Sequence, residues 1–163
     1  MKTKDTVLSV MAIFPLLAGC ASTPVALAPV GPEPANNHES YISKGYIKVF
    51  SDTETHEIGD GPAYYPHTGY NIYDESGKRL QYVANHIGDM DESPSLVKIP
   101  KGNYAVVAES SAYGRVSVPV VVQAGKTTIL HLDQGWRPSA MISTNELVRL
   151  PDGEAVGWSS VSR

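Results

Sequence analysis

The chain has 163 residues, 18% of them charged and 42% hydrophobic, with 14 Gly and 12 Pro, which is a turn-rich folded composition rather than a disordered one. Its formal net charge is -4, and without a basic stripe it offers nucleic acid no electrostatic footprint. A single cysteine excludes an internal disulfide and leaves an odd thiol that needs an explanation.

Lys2 and Lys4 form a short positive start, followed by an apolar run from Val7 to Ala18 broken only by Ser9 and Pro15. About 12 residues of helix rise only about 18 Å, while a bilayer core is roughly 30 Å thick, so the run is too short to span. A charged start, a short apolar middle and small residues at its end predict an export signal over residues 1–19. The run closes in "LLAGC", where Leu17, Ala18, Gly19 and Cys20 resemble the lipobox of bacterial lipoproteins position for position. The resemblance implies a diacylglyceryl thioether on Cys20, cleavage before it, and acylation of the new amino terminus. A thiolate is the side-chain nucleophile suited to accepting a lipid, and two or more acyl chains make a stable anchor. Ala21 stands where the family's sorting rule uses aspartate for inner-membrane retention, so the resemblance points to the outer membrane, facing the periplasm. Removing Lys2, Lys4 and Asp5, a net +1, takes the charge of -4 to about -5 for the mature chain.

Residues 20–40 follow as the lipidated cysteine and a Pro-rich tether. Pro24, Pro29, Pro32 and Pro34 fall in a stretch with neither helical nor strand periodicity, and twenty such residues would reach roughly 60 Å. From Tyr41 the signal is β. Short β-branched or aromatic runs occur at 45–51, 70–74, 80–86, 95–99, 103–110, 115–122 and 126–132, separated by "ESGK", "PKGN" and "QAGK". Val116, Val118, Val120 and Val122 share one face, and Pro119 on the other predicts an edge strand or a bulge. About seven strands over 41–133 predict an all-β sandwich, and "PDG" turns a further hairpin within the extension 134–163.

The segments "LVKIPKGNYAVVAES" and "VSVPVVVQAGKTTILHL" resemble the closing strands of carboxypeptidase regulatory-like and PEGA-type domains. Leu96–Ile99, Pro100, Gly102, Tyr104, Val118–Val122, Gly125 and Thr127–Leu132 occupy the places of that pattern, over roughly 40 residues. The resemblance implies a prealbumin-like or Ig-like sandwich that is usually non-catalytic.

If each connection reverses direction, the turns at 75–79, 100–103 and 123–126 gather at one end. The connections at 52–69, 87–94 and 111–114 then gather at the other. The tether is expected to enter at the short-turn end, so that the long loops face away from the membrane; a hidden strand in 52–69 would break the parity. The 52–69 loop is long for a compact domain, and Tyr64, Tyr65 and His67 in it are the candidate contact residues, aromatics giving large area at low entropy cost. The alternative is that Tyr64 and Tyr65 cap the core from the loop.

The acidic stretch "GDMDES" (88–93) offers Asp89, Asp91 and Glu92, but lacks the ligand pattern of a calcium loop and reads as a solvated turn. The five histidines show no pair at metal-ligand spacing, so no metal site is predicted. "AGKTT" (124–128) has Val120 where a phosphate loop needs Gly, no G-x-S-x-G elbow occurs, and no spacing selects a catalytic triad. Trp136 and Trp158 could form a sugar platform or pack the extension onto the domain. The sequence thus predicts a non-catalytic, membrane-anchored module with no cofactor beyond the lipid on Cys20. Its expected partner is an envelope protein, with a carbohydrate or peptidoglycan module as the alternative and an enzyme behind both.

Overall fold

The computed structural model describes residues 27–32, 43–138 and 144–160. Leu17, Ala18, Gly19 and Cys20 lie outside the described residues. Among the described residues twelve strands run in chain order. They are β1 (Val30–Gly31), β2 (Lys44–Phe50), β3 (His56–Glu57), β4 (Ala63–Tyr64), β5 (Tyr70–Asp74) and β6 (Arg79–Val83), then β7 (Leu96–Pro100), β8 (Gly102–Ser110), β9 (Gly114–Val122), β10 (Thr127–His131), β11 (Leu147–Arg149) and β12 (Ala155–Ser159). A 3-10 turn over Thr144–Glu146 precedes β11.

One sheet has seven strands in the order β11-β12-β1-β9-β8-β5-β6, and a second has three in the order β10-β2-β7. The fold is an all-β sandwich. Period-2 alternation explains the layering: Val97 and Ile99 of β7 point inward while Leu96, Lys98 and Pro100 point out. Val118, Val120 and Val122 of β9 do the same, meeting Ile47, Val49 and Leu130 of the opposite sheet in one core. Those six side chains are each at most 2% exposed, so each gains about 1.5–3 kcal/mol from burial.

Strand directions settle the parity argument. β5 is antiparallel to β6 and β8, β8 to β9, and β2 to β7, while β10 runs parallel to β2. The short connections after β5, β7 and β9 therefore share one end, and those after β2, β6 and β8 share the other. The hidden structure in the 52–69 loop is a pair of strands, β3 against β4, and an even number leaves the parity intact.

Four expectations are corrected. Residues 27–31 lie in the sandwich rather than in a tether: β1 sits between β12 and β9, with Val30 fully buried. Two strand residues in a Pro-rich segment carry no readable period. Because β1 runs parallel to β9, residues 27–29 enter from the long-loop end, not from the short-turn end. The strand expected at 80–86 stops at Val83, since Asn85 has φ 73°, a left-handed conformation that ends a ladder. β9 is an interior strand, yet β1 pairs with it only at Val120, so Pro119 sits where that side of the strand loses its partner. The extension joins the sandwich: β11 and β12 form the "PDG" hairpin, with Gly153 N donating to Leu150 O at 2.9 Å, and β12 docks on β1.

Candidate functional site

The long-loop end is assembled around Asn85, which is wholly buried. Its amide Nδ2 donates to Val49 O (3.0 Å), Ser51 Oγ (2.9 Å) and Thr68 O (3.2 Å), and its Oδ1 accepts from Ser95 N (3.1 Å). One side chain thus joins the end of β2, the 52–69 loop and both ends of the 84–95 loop. Ser51 Oγ adds a bond to Thr68 O at 2.7 Å, and Asp52 N donates to Glu109 O at 2.9 Å. Ser111 Oγ donates to Asp52 Oδ1 at 2.6 Å, which ties the third connection to the first.

The three candidate contact residues part company here. His67 is 6% exposed, its Nδ1 lies 2.7 Å from Ser51 O, and its ring meets Phe50 edge-on at 5.5 Å. It is a brace of the loop base, not a surface group, because an imidazole both hydrogen-bonds and fills apolar space there. Tyr64, in β4, is half-buried, while Tyr65 is 50% exposed and its backbone N donates to Glu92 Oε1 at 2.8 Å. Tyr70 turns inward, and burial alone pushes its hydroxyl well above the usual tyrosine range.

The acidic stretch is engaged in its own loop. Asp91 accepts from Ile87 N at 3.0 Å and Ser93 N at 3.1 Å, and those bonds hold its carboxyl below the usual range. Asp89 lies 3.3 Å from His56 Nδ1, and His56 Nε2 lies 3.5 Å from Glu54. Among the described residues no group of three or more His, Cys, Asp and Glu side chains could hold a metal. Around these loops stand Ile58, Ile87 (94% exposed), Met90 and Tyr113, all large and exposed.

The two tryptophans are occupied. Phe50 stacks on His131 at 4.8 Å, His131 on Trp136 at 4.5 Å, and Trp136 meets Trp158 edge-on at 6.2 Å. This run of rings fastens the extension to β2 and β10, and burial lowers His131 to about 4. At the short-turn end a hollow of about 420 Å³ is lined by Tyr73, Asp74, Glu75, Asn103 and Tyr104. Its polar groups already pair locally, Asn103 with Glu75 and Tyr104 with Pro100 O. Sequence reasoning missed Asn85, whose role depends on a φ and on partners up to 36 positions away. Comparison with family models, with curated proteins and with solved structures finds no match to this chain.

Proposed function

We propose that the chain is a lipid-anchored protein of the bacterial envelope, held through Cys20 and facing the periplasm from the outer membrane. Its sandwich would be a non-catalytic binding module whose partner is a protein. The anchor rests on the "LLAGC" pattern after a short apolar run. The binding reading is carried by one observation: two long connections and the β8–β9 turn meet at one braced end that exposes Ile58, Tyr65, Ile87 and Met90. Exposed apolar side chains gathered in one place mark interaction sites more often than scattered ones do. The sugar-platform alternative is less favoured, since Trp136 spends its face on His131.

A photo-crosslinking amino acid at Tyr65 in living cells tests the binding reading. One discrete protein adduct, identified by mass spectrometry, is the expected result. No protein adduct from a folded domain would move the reading to a glycan ligand or a structural loop. The mass of the chain purified from membranes tests the anchor: Cys20 should be the acylated first residue, and an unmodified chain retaining Lys2 would refute it.

A further inference from the structure

The two ends of the sandwich differ in charge. The connections 52–69 and 87–94 carry Asp52, Glu54, Glu57, Asp60, Asp89, Asp91 and Glu92 with no Lys or Arg among them, and the exposed Arg115 at the start of β9 stands beside them. The opposite end presents Lys44, Lys78, Lys101 and Lys126 against Asp74 and Glu75. Set among the carboxylates of the loop end are Ile58, Tyr65, Ile87 and Met90, all of them exposed, with Tyr113 on the neighbouring connection. Exposed apolar side chains interspersed with carboxylates are the complement of an apolar patch flanked by cations.

The path of the chain adds a location. Val30 pairs with Val120 in parallel, and residues 27–29 precede it on the loop side. Only six residues lie between Cys20 and Leu27, and the seven steps from one to the other reach at most about 25 Å. The chain also enters from the loop side, so an anchor at Cys20 brings that end nearest the membrane. A bilayer is a poor occupant for it, because phosphate headgroups repel seven carboxylates.

We infer that the loop end docks on a protein of the anchoring membrane, one that presents basic side chains around an apolar patch. The inference rests on the anchored binding module proposed above. The Asn85 bonds and the Glu92–Tyr65 bond hold the loops in place before the partner arrives, which lowers the ordering cost of docking. Anchoring both proteins in one membrane raises their effective concentration, so a modest interface suffices.

The test places the photo-crosslinking amino acid at Ile87, with Lys101 at the other end as control, in living cells. The expected adduct at Ile87 is a membrane-spanning protein whose exposed loops are basic, with none at Lys101. Charge reversal by E57K/D60K should weaken that adduct at least tenfold, since close charge pairs couple strongly across interfaces. Met90→Ser, a second surface change, should weaken it without moving the unfolding midpoint. An adduct only to lipid, a soluble or acidic protein, or a yield indifferent to both variants would overturn the inference. The acyl mass on Cys20 is read in the same preparation. An unacylated chain fails the anchor, whereas an acylated chain with no adduct at Ile87 fails the docking surface.

Discussion

Replacing Asn85 should be among the most damaging single changes outside the apolar core. Asn85→Ala deletes the donations to Val49 O, Ser51 Oγ and Thr68 O, which share the two Nδ2 protons, and the bond accepted from Ser95 N. Thr68 O keeps the Ser51 hydroxyl as a donor, so its loss is softened, whereas Ser95 N loses the acceptor that Oδ1 supplied. At about 1 kcal/mol net per bond, with that softening, the side chain is worth about 2–3 kcal/mol. Alanine at φ 73° adds about 1 kcal/mol of backbone strain that asparagine tolerates. The expected total is about 3–4 kcal/mol, a large share of a domain stability of about 5–15 kcal/mol. Urea unfolding followed by tryptophan fluorescence should show a lower midpoint at unchanged slope, and Tm should fall by about 10–15 °C. Asn85→Gly removes the bonds but relieves the backbone, so it should lie about 1 kcal/mol above the alanine variant. A loss below about 1 kcal/mol in Asn85→Ala would refute the account of Asn85 as the hub of the loop end. Equal losses in alanine and glycine would refute the backbone part alone.

Two further outcomes follow from packing and charge. His131, held neutral between Phe50 and Trp136 with its pKa lowered to about 4, is protonated more readily in the unfolded chain. Its contribution is therefore complete above the ordinary value of 6.5 and is lost as pH falls toward about 4. Allowing for partial solvent exposure, the loss is on the order of 1–2 kcal/mol, and His131→Phe should flatten the difference between urea midpoints at about pH 7 and about pH 5. In Gly45→Ala, the new methyl would meet the Gln123 carbonyl oxygen as well as Val122 Cγ1 at 2.7 Å and Lys126 O at 2.9 Å. Backbone cannot yield as a side chain can, so thermal unfolding should register a loss of about 2–3 kcal/mol; a neutral result would mean that the 123–126 turn moves freely over β2.

The parts of the fold that follow a local rule were legible in the sequence. Val118, Val120 and Val122 announce their shared inward face, and "PDG" and "ESGK" announce hairpins, because period and turn chemistry act over a few residues. The clustering of the long connections was legible too, since it needs only the parity of strand reversals. What escaped depends on distant partners. Val30 is a strand residue only because Val120 and Ser159 flank it, and Gly157 leaves room for its side chain, whose Cγ1 would lie 2.6 Å from an added Cβ. At the site, Tyr65 is exposed as a contact residue should be. His67, two positions on, turned inward because Ser51 O and Phe50 offered it a better environment than water.

The placement of β1 also makes it a mechanical joint. A pull on the chain ahead of Leu27 that acts along β1 meets the neighbours on either side. Such a load shears the bonds to β9 and β12 together instead of peeling them one at a time, and Val30 in the core resists as a wedge. Tension is taken up there before it reaches β2. Tugging would thus strain the seam that joins the closing hairpin to the large sheet, while β2, Asn85 and the loops that it organises stay at rest.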